Sequence, residues 1–323
     1  MAHKYDVVIR TVGKAGEKYV QEIRSLYRQT ILPHRVVVYI AEGFDLPQRI
    51  DQEEYIYVHK GLVHQRAVVP DDEVDFLLIL DDDVYLPEDT VEKMMQQMEK
   101  TPIDCIIPDT FPTQTLPLKD KLIAYFSNNV SPRWNDGYAV KIKKSGAFSY
   151  NNCPHQDALL ETQSGTGPTC FIKKASFVSI KYSDEIWVDD FPAGAFYEDQ
   201  IMFYKLYKNG CKMMMWYDSG VKHLDAGTNN QKEKSYEKLM YRAMANYVIW
   251  HRTVLGTTTG LFERAFCHIS YFYRFFFGML TRIVFVLMNG SSKFVKAYWC
   301  GNMRGVQYVR TNQYKNLPPY ILC

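Results

Sequence analysis

At 323 residues, 47% hydrophobic and 23% charged, the chain has the material for a sizeable core, which excludes a disordered or fibrous protein. The formal net charge of +2 is unevenly placed: from Lys238 to the end there are eleven Lys and Arg and a single acid, Glu263, so the residues before it are acidic on balance. Seven cysteines, an odd number without a CxxC pair, disfavour a zinc site and read as reduced, partly buried thiols of a cytosolic protein.

His3, Lys4 and Asp6 run directly into the apolar stretch 7–9, so no secretory leader is expected. Residues 5–9 are a short β-branched run, which predicts a buried strand. Val20, Ile23, Leu26 and Tyr27 have helical spacing and predict a helix over 18–27, stopped by Pro33. Residues 35–40 predict a second strand and 75–80 a third. The third holds Phe76, Leu77, Leu78, Ile79 and Leu80 in succession, apolar on both faces, as a central strand under helices requires. Pro87, Glu88 and Asp89 then read as the start of an amphipathic helix over 91–98. This order predicts a doubly wound α/β sheet with ligands at the carboxyl ends of its strands.

The stretch 101–187 is less regular, rich in Pro, Asn and Gly, and suits a substrate-facing insertion. A strand over 170–173, a helix over 196–207 ended by Asn209-Gly210, and a strand over 213–217 leading to His223 complete the pattern. Glycine and asparagine cluster at 225–230, where a boundary is expected.

Three features carry chemistry. Asp81-Asp82-Asp83 follow the apolar strand. Three carboxylates at a buried strand tip repel one another, and a divalent cation relieves that and can bridge a diphosphate. An acidic turn capping the next helix is the other reading. Glu198-Asp199 stand at a helix start, where a carboxylate can take a proton from a hydroxyl or merely favour the helix N-terminus. His223 follows the last strand and can complete a metal shell or be a surface histidine.

Taken together, these residues resemble glycosyltransferase family 2, the inverting enzymes of the GT-A fold, over residues 5–225. The segment 5–11 is similar to the family's first strand, Ser25 to Thr30 with Pro33 to its first helix end, Asp81-Asp82-Asp83 to its DXD motif and Glu198-Asp199 to its Glu-Asp motif. The resemblance implies an α/β, Rossmann-like mixed sheet and one-sugar transfer from a nucleotide-sugar, UDP-linked in preference, since no Gln-x-x-Arg-Trp motif is present. It implies Thr11, Glu42, Arg66, Asp81 and Asp82 at the donor, Mn2+ or Mg2+ on Asp83, Asp81 and His223, and Asp199, with Glu198, as the catalytic pair. Two departures stand out: Ala41-Glu42-Gly43 replaces an aspartate-rich turn, and Ala67 follows Arg66 where Asn is usual. Trp134, Trp187 and Tyr197 are candidates to stack on acceptor sugar rings, or core residues. The catalytic domain is expected over 1–228, with the nucleotide-sugar side at 1–105 and the acceptor side at 106–228.

The region 229–323 is expected to be helical, basic and membrane-associating. Arg264, His268, Tyr271, Gly278, Arg282 and Asn289 fall on one side of a helix over 262–288, and Ile269, Phe272, Phe276, Leu280, Ile283 and Leu287 on the other. Charges interrupt the stretch too often for a plain transmembrane span. A basic aromatic helix of this kind suits a lipid interface through 262–300, and the alternative is packing on the core or at a dimer contact. The resemblance implies a lipid-linked or surface-glycan acceptor at the cytoplasmic face of the membrane. Nucleic-acid binding is not expected, because the arginines alternate with long apolar stretches. Two other functions fit the pattern less well: a sugar-1-phosphate nucleotidyltransferase, for which Gly13, Lys14 and Gly16 are a poor phosphate loop, and a non-catalytic membrane-bound scaffold.

Overall fold

The computed structural model describes residues 3–110, 118, 122, 126, 135, 137–150, 159–191, 197–225, 236–289 and 292–322. The strands are β1 (Tyr5–Thr11), β2 (Arg35–Ala41), β3 (Glu54–Val58), β4 (Phe76–Asp81), β5 (Val84–Tyr85), β6 (Cys105–Pro108), β7 (Val140–Ile142), β8 (Phe148–Tyr150), β9 (Leu159–Glu161), β10 (Thr169–Lys173), β11 (Met213–Trp216) and β12 (Lys222–His223). The helices are α1 (Glu17–Leu26), α2 (Leu62–Ala67), α3 (Thr90–Lys100), α4 (Lys174–Ser179), α5 (Glu198–Lys208), α6 (Tyr236–Trp250), α7 (Leu261–Asn289), α8 (Lys293–Tyr308) and the short α9 (Asn312–Lys315). Two compact units result. One comprises 1–113, 154–189 and 198–230, and the other 114–153, 190–197 and 231–323.

The first unit is built on an eight-stranded mixed sheet of order β3-β2-β1-β4-β10-β6-β11-β9. β10 runs antiparallel to both β4 and β6, and β9 antiparallel to β11, while β1, β2, β3 and β4 are mutually parallel. This is the expected α/β mixed sheet. The continuous apolar runs explain its middle: Val7 and Ile9 of β1, Val38 and Ile40 of β2 and Leu78 and Leu80 of β4 are all fully buried in one cluster with Ile23 and Leu26 of α1. Each such side chain contributes about 1.5–3 kcal/mol on burial. Strand order reverses between β1 and β4, so the crevice outside their carboxyl ends is a topological switch point, where ligands of such sheets bind.

The elements predicted from periodicity are present, with ends shifted by one or two residues. The irregular middle nevertheless contains β6, an inner strand whose four residues Cys105–Pro108 are all buried. At four residues it is too short to carry a period.

In the second unit β7 and β8 form a hairpin, and Trp250 at the end of α6 closes on it. Its indole donates to the Lys144 carbonyl at 2.9 Å, and Gly146, at φ 73, leaves room for the ring. α8 lies against α6 through Gly301 and Gly305; a Cβ on Gly301 would come within 2.2 Å of the Met240 carbonyl oxygen. Helix α7 is turned against the usual rule. Ile269, Phe272, Phe276, Leu280, Ile283 and Leu287, its apolar stripe, are exposed by 43–81%. Its polar side faces α8 instead: Tyr271 donates to Asn302 Oδ1 at 2.7 Å and Arg282 stacks on Tyr298. Among the described residues no helix is long and apolar enough to cross a membrane.

Candidate active site

The carboxyl ends of β1 and β4 bring charged groups together because the two strands are in parallel register, with Arg10 opposite Asp81. Arg10 donates through Nε to Asp81 Oδ1 at 2.6 Å and through Nη2 to Asp81 Oδ2 at 3.3 Å. Its Nη1 lies 2.8 Å from Glu198 Oε1 at the start of α5. Arg66, fully buried at the end of α2, donates to Asp81 Oδ1 at 2.9 Å and to the Gly167 carbonyl at 2.8 Å, with Glu198 3.6 Å away. Two arginines therefore tie the acidic strand tip to the Glu-Asp pair more than a hundred residues on. Buried charges are tolerated when paired and hydrogen-bonded in this way.

The three aspartates have different environments. Asp81 is held below the usual carboxylate range: burial would raise it, but Arg10 and Arg66 outweigh that. Asp82 accepts from the Thr11 hydroxyl, and burial together with the charges of Asp81 and Asp83 pushes it up to about 6. Asp83 lies 3.0 Å from His223 Nε2. The β5–β12 ribbon causes this contact: it pairs Val84 with His223, and Leu224 N donates to the Asp83 carbonyl at 2.8 Å. The Asp83 hydrogen bond raises the His223 imidazole above its ordinary value. Beneath the tip, buried Glu22 of α1 accepts from Val84 N at 3.3 Å. Burial first, then the charge of Asp82, pushes its carboxyl well up. Ser25 and Gln29, one and two turns on, hold Leu86, Pro87 and Val91 in the same manner. Gln65 of α2 donates to the Thr11 and Tyr39 carbonyls at 2.9 and 3.0 Å and so fixes the tips of β1 and β2.

Glu198 and Asp199 are not equivalent. Glu198 is buried and faces both arginines, which makes it an anchor. Asp199 is only partly covered, and burial followed by the Glu198 charge pushes it up to about 7. It accepts from Gln200 N at 2.8 Å. Gly167 makes the close approach possible: a Cβ there would meet Asp199 Oδ2 at 2.8 Å. A carboxylate titrating near neutrality in a cleft is suited to taking a proton from a hydroxyl.

The other expected site residues differ in their surroundings. Glu42 is exposed at the tip of β2, 3.6 Å from His59. Trp187 is 4% exposed and its indole donates to Glu185 at 2.7 Å, while Glu185 in turn holds buried Lys205; it is a core residue rather than a sugar platform. Tyr197 has φ 64, a left-handed conformation rare for a bulky residue, and its hydroxyl accepts from Arg242 Nε at 2.8 Å. Trp134 lies outside the described residues. Of the expected metal set, Asp81 accepts from Arg10 and Arg66, while Asp83 and His223 lie side by side. Among the described residues, three donors within 4.8 Å of one another are found instead at Asp6, His34 and Asp72, near the amino ends of β1 and β2, where Arg35 already pairs with Asp72. Sequence reading missed Arg10, Glu22 and Gly167. Arg10 had a visible signal, a cation directly after the apolar run 7–9 at the carboxyl end of a strand.

No family model and no curated protein matches this chain. Solved structures similar to it at low identity include two of S. aureus TarS. Residues 1–349 of S. aureus TarS in complex with UDP are 13% identical, with a TM-score of 0.43, covering 94% of this chain and 92% of that one. The same TarS segment in a second crystal structure is 14% identical, with a TM-score of 0.43 and the same coverage.

Proposed function

We propose that the chain is an inverting, metal-dependent glycosyltransferase, moving one sugar from a nucleoside diphosphate sugar, UDP-linked in preference, to a hydroxyl of a lipid-linked or surface-glycan precursor. The observation that carries this reading is the pairing of Arg10 and Arg66 with both Asp81 and Glu198 at the sheet's switch point. It joins a polyanionic strand tip to a carboxyl, Asp199, that titrates near neutrality. Asp199 takes the proton of the acceptor hydroxyl as that oxygen attacks the anomeric carbon. The carbon–oxygen bond to the diphosphate breaks on the opposite face, so the configuration inverts. Base assistance of this kind is worth roughly 10²–10⁴-fold.

Asp83 and His223 fit a divalent cation as one oxygen and one nitrogen donor, a set that suits Mn2+ better than Mg2+. Such an ion, when bound, would neutralise charge on the leaving diphosphate. The outward apolar stripe of α7 supports attachment to a membrane surface, because a helix packed only for solubility turns that face inward.

The deciding assay is product analysis with UDP-sugars and Mn2+. Nucleoside diphosphate release that depends on an acceptor supports transfer, whereas pyrophosphate release or no turnover removes it. Liposome flotation checks the attachment: wild type floats, and Phe272→Asp with Phe276→Asp stays with the soluble fraction.

A further inference from the structure

The second unit contains arginines that the sugar-transfer reading does not use. Arg274 and Arg282 stand two turns apart on α7, and Arg282 stacks on Tyr298 of α8 with its guanidinium carbon 3.9 Å from the ring centroid. Tyr298 feels the charge of both. Arg242 of α6 belongs to the same group: its charge and that of Arg274 act on Arg282, after burial, to hold that guanidinium below its ordinary value. Each has spent an N–H on a neutral acceptor. Arg242 donates to the Tyr197 hydroxyl at 2.8 Å, Arg274 to the Ser145 carbonyl at 3.2 Å and Arg282 to the Gly278 carbonyl at 2.7 Å. Among the described residues none of the three has a carboxylate partner within 4 Å.

Three like charges gathered on partly buried helices, with tyrosines and carbonyls in place of acids, repel one another. Folding alone gives no reason to collect them; an anion does. Guanidinium forks with free N–H groups match phosphate oxygens, which they bind through two parallel hydrogen bonds. Chloride or a carboxylate would use fewer of those donors. We propose that Arg242, Arg274 and Arg282 form a binding site for a phosphate or diphosphate group, carried either by a soluble molecule or by a lipid headgroup. The tyrosine rings of Tyr197 and Tyr298 orient two of the three cations through cation–π contact, at 5.6 and 3.9 Å.

The site is tested on the full chain without added metal, so that failure of the transfer reading and failure of this one are separable. Inorganic pyrophosphate is titrated calorimetrically into wild type, Arg282→Gln and Arg242→Gln; the second variant removes an exposed side chain and guards against misfolding of the first. Vesicles of phosphatidylcholine with and without phosphatidylglycerol are sedimented with the same three proteins. UDP with Mn2+ serves as the control for an intact first unit. Pyrophosphate binding at least tenfold weaker in both variants, with UDP binding unchanged, is expected. If sedimentation with anionic vesicles survives in the variants, the ligand is a soluble phosphate; if it is lost as well, or is the only binding that depends on the arginines, the ligand is a headgroup. Equal binding of pyrophosphate and of anionic vesicles by wild type and both variants, or binding of neither probe by wild type, overturns the proposal.

Discussion

Arginines in the two units keep different company. In the first unit buried Arg66 and largely covered Arg10 lie beside Asp81 and Glu198, and each charge has an opposite charge within about 3–4 Å. In the second, Arg242 and Arg282 lie against tyrosine rings and Arg274 against a carbonyl. The contrast separates two uses of the same residue. A guanidinium between carboxylates is structural cement: it fixes two segments far apart in sequence and holds the Asp81 carboxyl below its ordinary range. A guanidinium lacking an acid retains its charge for something outside the chain.

The largest expected effect lies on Asp199, the carboxyl beside Glu198 that burial pushes up to about 7. Asp199→Asn keeps size and hydrogen bonding but cannot accept a proton. Turnover should fall about 10²–10⁴-fold while UDP binding in the presence of Mn2+ changes less than about twofold. Comparable turnover by the variant removes Asp199 from the role of base.

Arginine removal breaks the comparison directly. Arg66→Met leaves Asp81 and Glu198 with Arg10 as their remaining cation in a buried site, and abandoning a buried ion-pair partner costs about 3–5 kcal/mol. Arg282→Met strands no carboxylate and loses a stacking contact and a hydrogen bond to the Gly278 carbonyl, for a cost of about 1 kcal/mol. Urea unfolding of the two variants measures both. Similar losses in the two would mean that the cations of the second unit are as structural as those of the first.

How much of this could be read in the sequence depends on what each residue's role is tied to. The sheet was legible because β1, β2 and β4 are apolar on both faces, and the strand tips followed from it. Asp81, Asp82, Asp83, Glu198 and Asp199 announced themselves as acids at element ends. Their division of labour did not. That Glu198 is the anchor and Asp199 the titrating group depends on which of two neighbours points at Arg10 and Arg66, a matter of helix phase at the start of α5. Gly167 was hidden because its role is to be small beside Asp199. The two sides of α7 were read correctly as apolar and basic, yet which side faces its own unit is decided by Tyr298 and Asn302 on another helix. Trp187 shows the converse: an aromatic left open between sugar stacking and core is held by a buried partner, Glu185, that composition alone cannot assign to it.

A smaller effect sharpens the distinction between the two neighbouring acids, and its sign follows from proton counts. The Asp199 carboxyl is pushed up to about 7 by burial and by Glu198, whereas in an unfolded chain an aspartate titrates near 3.9, approximately. Between those values the folded protein holds a proton that the unfolded chain has released. Stability from this group is therefore fully present below about pH 4, declines as pH rises, and is lost above about 7. Asn at 199 mimics the protonated form at every pH. Asp199→Asn should thus match wild type in melting temperature near pH 4 and exceed it by roughly 2–4 °C near pH 8, the equivalent of about 1 kcal/mol after allowance for the carboxyl's partial exposure. Glu198→Gln should have the opposite sign at pH 8, because it takes a charge away from buried Arg66 and from Arg10. Scanning calorimetry at both pH values tests the pair together. A melting-temperature difference for Asp199→Asn that is flat with pH would mean the carboxyl is solvated like a surface aspartate, and a base poised near neutrality would have to be sought elsewhere in the cleft.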